Sequence, residues 1–472
     1  MAYSEFYCQN GGSNLNAGST TNNTATYTSI HGNWTNATGV FTPTDGTTPA
    51  STVSVGMFAS VYIDGATVGV YIGRISAVGA GVNGAITANT SGIGSKPANQ
   101  TATATIKVGG AWQGPNGASG FPLTLASFGN NQDTNSDKVR LNLKNDQTYT
   151  VTGSFAVANT GSSFIVQGYT SSVGDLGKAT FDGTTNTGAI VTQAGPAGAM
   201  WTDCIFVTSI SSGTTTLFTT ANVIAMVRCV FHGARNFGLN MSTAGGSAQE
   251  CEFYDNNKAN TAGIGGVTIN ASSALRCISH DNTGSNTAGF IINGGPCVLT
   301  GCIADTNGGI GISVTNGSAN GVIQIQNCDI YNNGSDGINI VSGNLNQIWI
   351  ENTNLIKNTS KGINNVATTN FGFIYNCGYG AGTQANGSAD TINNLSQSGT
   401  VTYGSNLTPW VDPANGDFRV NLAAANYAGR GTFTETASSY AGAAGHPDIG
   451  SCQSLTGPTG TFSKEVSYSS PS

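Results

Sequence analysis

The chain has 472 residues and a formal net charge of −7, and only 8% of its residues are charged, against roughly 25% in an average globular domain. With 67 Gly and abundant Asn, Thr and Ser it could be disordered, but 38% hydrophobic residues with regularly spaced Val, Ile and Phe can build a core. The acidic balance without a basic patch excludes nucleic acid as a partner, and no run of about 18 apolar residues is present to cross a membrane.

At the N-terminus, MAYSEFYCQN lacks a basic segment followed by an apolar run, so no secretory signal is expected. Residues 1–125 show no long period. They hold alternating runs, Phe58-Ala59-Ser60-Val61-Tyr62-Ile63 and Val68-Gly69-Val70-Tyr71-Ile72, with the hairpin signal Asp64-Gly65 between them and a second turn at Asn83-Gly84. A small antiparallel β domain is expected there, as an anchor or assembly module. Irregular first coils are expected over 126–200.

A repeat then begins. Cys204, Cys229, Cys251, Cys277, Cys302 and Cys328 are separated by 25, 22, 26, 25 and 26 residues, and Thr353 and Cys377 continue the series. A fixed period in this range is the mark of a solenoid. Five residues after the repeat position stand Asn256, Asn282, Asn307, Asn333 and Asn358; nine after it stand Gly238, Gly311, Gly337 and Gly362. Alternating segments such as Ile323-Gln324-Ile325-Gln326 and Ile348-Trp349-Ile350-Glu351 read as half-buried strands. Short strands broken by Asn and Gly turns, in three columns held in register, predict an all-β chain: a right-handed parallel β-helix of about 25 residues per coil over 126–380. A Gly/Ser/Asn-rich linker is expected over 381–400, and the last seventy or so residues complete a cap or tail over 381–472.

Rungs stack about 4.8 Å apart, so equal positions lie over one another. The Asn column can bond side chain to side chain while tolerating a left-handed turn. Phe206, Phe231, Phe253, Ile330 and Leu355, two after the repeat position, form an inward ladder. The cysteines share that register and read as small buried thiols. No CxxC pair or Cys/His cluster points to a metal. No P-loop, nucleophile elbow or dinucleotide fingerprint points to a cofactor.

The run Phe164-Ile165-Val166-Gln167-Gly168-Tyr169, with Val173-Gly174-Asp175 and Ala179-Thr180-Phe181-Asp182-Gly183, resembles an opening rung of the pectate-lyase-like β-helix superfamily. Asp412-Pro413-Ala414-Asn415-Gly416-Asp417-Phe418-Arg419-Val420, with Asp448-Ile449-Gly450 later, is similar to a C-terminal pattern of bacterial and phage β-helix proteins. Here Asn421-Leu422-Ala423-Ala424-Ala425-Asn426 replaces the usual apolar Ser-Pro-Ala segment. The resemblance spans about 140–455 and implies fold more than function, because the superfamily holds sugar lyases, hydrolases, tailspikes and structural fibres. It also implies a homotrimer.

Lyases of the superfamily need a Lys or Arg base beside a calcium-binding carboxylate cluster, and none of Arg228, Arg235, Lys258, Arg276, Lys357 and Lys361 stands in one. Hydrolases need two carboxylates, about 5 Å or about 6.5–9.5 Å apart. Asp255, Asp281 and Asp305 fall on adjacent rungs and are the catalytic candidates, against the plainer reading that Asp commonly precedes Asn in turns. Tyr254, His280 and Tyr331 are candidates to stack on or bond a sugar beside them. Trp349, alternating with Ile348 and Ile350, should point outward to a ligand or a second subunit. Gly266 and Gly289 come late, so 258–265 and 283–288 should leave the coil as loops beside this ledge. His31 and His446 have no evident partner.

These readings favour a structural appendage of a virion or cell surface (a phage tailspike, fibre or head appendage), able to hold polysaccharide and to contact other virion proteins. A polysaccharide hydrolase or lyase and an extracellular fibre subunit are the alternatives.

Overall fold

The computed structural model describes residues 3–420, apart from 66–70, 90–95, 112–137, 158–163, 316–320, 342–346 and shorter interruptions. Residues 68–70, 421–426 and 448–450 and His446 lie outside the described residues. Two compact units share the chain, Met1–Ser209 with Thr220–Ala225, and Ile210–Thr219 with Met226–Ser472. The boundary expected at 125 lies outside the described residues, and position 380 lies within the strand Gly378–Ala381.

In the first unit, six antiparallel strands close into a barrel: Tyr27–Thr35, Val40–Thr42, Phe58–Ile63, Tyr71–Val78, Ile86–Ala88 and Gln100–Val108. Trp34, Phe41, Val61, Tyr71, Ile75, Ile86 and Ile106 fill it. The N-terminal strand Tyr3–Cys8 stays out of the barrel. It pairs in parallel with Lys138–Lys144, which pairs in turn with Phe164–Tyr169. The barrel is therefore an insertion between two strands of the first parallel sheet. The alternation of buried Phe6 and Cys8 with half-buried Glu5 and Tyr7 is what suits the strand to that sheet. Asp175, in the opening-rung resemblance, accepts the backbone N–H groups of Thr170, Ser171, Ser172 and Gly177, and these bonds hold its carboxyl well below the usual range.

In the second unit each rung contributes one strand to each of three parallel sheets. A rung runs from a strand such as Gln347–Glu351, through the Cys turn, to a strand such as Asn354–Ile356, through the Asn turn, to one such as Ile363–Asn365. The repeat column from Cys229 to Cys377, Thr353 included, is buried, as are Phe231, Phe253, Ile330 and Leu355. Described cysteines are thiols, not disulfides. Their role goes beyond volume. The Cys251, Cys277, Cys302, Cys328 and Cys377 Sγ atoms each lie 3.3–3.6 Å from the carbonyl two residues earlier, and Thr353 Oγ1 donates to Glu351 O at 2.9 Å. Cys and Thr share the column because both are small donors that fit a corner carrying a buried carbonyl.

The left-handed turn residues are not the ladder asparagines but their predecessors: Asp255, Asp281, Thr306, Asn332 and Lys357 have positive φ, as does the residue before each repeat position. The ladder itself is continuous. Nδ2 of Asn282, Asn307, Asn333 and Asn358 donates to the Oδ1 of the next Asn at 2.8, 3.0, 2.9 and 3.2 Å, ending on Asn386. The Gly column exists because it abuts this ladder. A Cβ on Gly337 would lie 2.7 Å from Gly362 O and 2.9 Å from Asn358 Nδ2, and Gly238, Gly266, Gly289 and Gly311 repeat that approach.

Two expectations are corrected here. Residues 381–400 are not a linker: the strands Gly378–Ala381, Thr391–Ile392 and Leu395–Ser398 form one more rung, whose Gly and Asn supply its turns and whose Asn386 extends the ladder. In the C-terminal stretch Val401–Ser405 adds a last strand to a parallel sheet, beside Gly378–Ala381, and the antiparallel pair Trp410–Asp412 and Asp417–Val420 packs as a strap on the outside of the solenoid. There Tyr403, Trp410 and Phe418 bury the outward residues Ile278, Ile303, Tyr331 and Ile356.

Candidate functional site

The strands Glu252–Tyr254, Ile278–His280, Ile303–Asp305 and Asp329–Tyr331 present two outward columns. In register these are Glu252, Ile278, Ile303 and Asp329, and Tyr254, His280, Asp305 and Tyr331; His232 precedes Tyr254 in the second. Strand alternation places them outward, because Phe253, Ser279, Ala304 and Ile330 between them face in.

The first half of this ledge is a ring stack. His232 and Tyr254 lie parallel with centroids 4.7 Å apart, and Tyr254 and His280 follow at 5.2 Å. Both faces of Tyr254 are thus occupied, so its hydroxyl can meet a ligand but its ring cannot lie on a sugar. Burial pushes the His232 pKa down. His280 is buried and stands between carboxylates, Nδ1 at 2.8 Å from Asp281 Oδ2 and Nε2 at 3.1 Å from Glu252 Oε1. Burial lowers its pKa, but the bonds and charges of Asp281 and Glu252 outweigh burial and raise it to about 9. The same contact with His280 lowers the Asp281 carboxyl, helped by Thr306 Oγ1, which donates to Asp281 Oδ1 at 2.8 Å.

The three candidate carboxylates do not form one set. Asp255 and Asp281 occupy left-handed turn positions at the edge, where Asp255 pairs with Lys258 at 2.7 Å. Asp305 sits one position earlier in its rung and is buried in the column between His280 and Tyr331. Tyr331 is buried under the strap, edge-on to Trp410 at 5.5 Å and Phe418 at 6.2 Å, with Lys357 Nζ 5.7 Å from its ring. Its expected availability to a sugar is corrected on that ground. The expected loops are shorter than 258–265 and 283–288, because strands Ile264–Ile269 and Thr287–Asn293 absorb their ends, Ile264 pairing with Thr287.

Trp349 lies on a different sheet. It points outward between buried Ile348 and Ile350 and is half-buried, edge-on to Phe373 at 6.1 Å. Its indole nitrogen is buried with no hydrogen-bond partner among the described residues. Beside it the strand Phe371–Tyr375 exposes Phe371, Phe373 and Tyr375, at 51%, 54% and 42%. Sequence reasoning passed over these aromatics. The signal was present: one repeat step from Trp349 lands on Phe373, and outward register then follows for its neighbours two residues away. His31, which had no evident partner, places Nδ1 2.6 Å from Asp64 Oδ2 on the barrel.

No family model and no curated protein matches this chain. Among solved structures, it is similar to pectate lyase Pel9A, at 17% identity over 68% of this chain and 89% of that one, with a TM-score of 0.52. It is also similar to ORF18 of Geobacillus virus E2, at 13% identity over 56% of this chain and 54% of that one, TM-score 0.36. A third is the Gp54 tailspike of Acinetobacter baumannii bacteriophage AP22 in complex with capsular saccharide, at 9% identity over 81% of this chain and 64% of that one, TM-score 0.28. The first likeness establishes the fold: a pectate-lyase-like parallel β-solenoid of about 9 turns.

Proposed function

We propose that this protein is a structural appendage of a virion or cell surface that holds polysaccharide on the outside of its β-helix without cleaving it. The observation that supports this reading is the state of the three candidate carboxylates. General-acid work on a glycosidic bond calls for a carboxyl whose pKa is raised. Asp281 is instead lowered by its contact with His280; of the other two, Asp255 is occupied by Lys258 and Asp305 is buried out of a substrate's reach. In this reading the barrel, which has its own core, serves as the attachment module. A depolymerase reading retains one support: Asp255 and Asp281 stand at equal positions on adjacent rungs, about 4.8 Å apart by strand spacing.

The experiment offers the protein a panel of bacterial polysaccharides, with retention read by affinity electrophoresis and cleavage by new reducing or unsaturated ends. Retention without cleavage is expected. Cleavage that disappears in the triple variant Asp255→Asn, Asp281→Asn, Asp305→Asn would establish the depolymerase instead.

A further inference from the structure

Single exposed apolar side chains are ordinary on a protein surface, but a contiguous set of large aromatics is not. Phe371, Phe373 and Tyr375 follow one another at two-residue steps, about 6.6 Å apart along one strand, and Trp349 adjoins Phe373 on the neighbouring rung.

What brackets them is polar. In register on one side lie Gln347 beside Phe371 and Glu351 beside Tyr375, with Gln324 and Gln326 one rung further; on the other side lie Ser396 beside Phe373 and Ser398 beside Tyr375. Gln326 Nε2 donates to Glu351 Oε2 at 3.2 Å, holding the carboxylate in place. The aromatic band is thus one to two strands wide, about 5–10 Å. That is narrow against the roughly 800 Å² each partner gives to a stable protein interface, and it suits one extended chain of sugar rings.

Charge narrows the ligand further. Among the described residues no Lys or Arg stands in register with the band, and Glu351 is the one charge in register with it. The described cations of these rungs, Lys357 and Lys361, and those of rungs further off are engaged elsewhere. Arg276 pairs with Glu250, Lys258 with Asp255, Lys357 lies over Tyr331, and Lys361 donates to Asn364 and Thr391. A polyanion would meet a carboxylate and no counter-charge, whereas a neutral glycan would find rings for its C–H faces and amides and hydroxyls for its hydroxyl groups.

We infer that this band is a binding platform for a neutral polysaccharide, with sugar rings on Phe371, Phe373 and Tyr375 and hydroxyls bonded to Gln324, Gln347, Glu351, Ser396 and Ser398. The inference rests on the glycan-holding reading above and adds to it a place and a ligand class.

The test runs the full chain in native gels containing dextran, galactomannan or laminarin, and in parallel gels containing polygalacturonate or alginate. It compares wild type, Phe371→Ser with Phe373→Ser, and Asp255→Asn with Asp281→Asn on the ledge. At least one neutral glycan should retard the wild type and the ledge variant alike. The aromatic variant should bind it at least about tenfold more weakly at unchanged melting temperature, and the polyuronates should retard nothing. Neutral-glycan binding that survives the aromatic change would overturn the platform while leaving the glycan-holding reading standing. Tighter binding of a polyuronate would overturn the charge argument alone. A wild type that binds no glycan, together with an oligomer that the aromatic variant dissociates, would overturn both and assign the band to a second copy of the chain.

Discussion

His280 is a buried imidazole made into a cation by its neighbours, Glu252 and Asp281. Its folded pKa of about 9 stands above the ordinary histidine value of 6.5. The protonated form therefore adds stability that is fully present below pH 6.5 and is lost as pH rises through 9. The contribution has an upper bound on the order of 3 kcal/mol. Melting temperature should fall between pH 6.5 and 10 in the wild type and fall less in His280→Gln. Parallel profiles for the two proteins would show that the triad carries no such linkage. The same clamp explains why this histidine is unsuited to act as a base near neutrality: its lone pairs are already bonded to protons directed at carboxylates.

At the scale of the element, the Asn turn is where sequence and stability meet. Asn307 Nδ2 donates to Ser279 O and to Asn333 Oδ1, while its own Oδ1 accepts from Asn282. Asn307→Ala leaves buried partners on two rungs unsatisfied, at a cost of about 2–4 kcal/mol in chemical denaturation. Asn307→Asp is expected to be no better, since a carboxylate cannot donate. A cost under about 1 kcal/mol for either would mean that the ladder is not a source of stability. The adjoining Gly column explains why the insertions near 258 and 283 shift Gly266 and Gly289 in sequence but not in space: both still face a ladder amide and the next rung's carbonyl.

At the scale of the second unit, the strap decides what surface the solenoid shows. Trp410 and Phe418 are fully buried against Tyr331, and Tyr403 hydrogen-bonds Asn354 Oδ1. Trp410→Ala should cost about 3–5 kcal/mol and raise the fluorescence of a hydrophobic dye, because Ile278, Ile303 and Ile356 would lose their cover. Unchanged stability and dye binding would show that the strap adds nothing to the packing. By covering Tyr331, the strap divides the expected ledge and leaves the aromatic band on another sheet as the more open face.

The repeat was legible because a solenoid converts period into space: each column is a local pattern of one residue per rung, so Cys277 over Cys251 and Asn307 over Asn282 needed no knowledge of distant contacts. The inward faces followed for the same reason, since strand alternation is a property of neighbours in the chain. Outward faces did not follow. Whether Tyr331 or Phe373 meets solvent depends on what packs on it from far along the chain, and Trp410, about 80 residues beyond Tyr331, has no periodic relation to it. The N-terminal strand was missed likewise, because its partner Lys138–Lys144 lies across the inserted barrel. Local periodicity thus determined the rungs and their core, whereas non-local burial, which has no period, decided which side chains remain to bind anything.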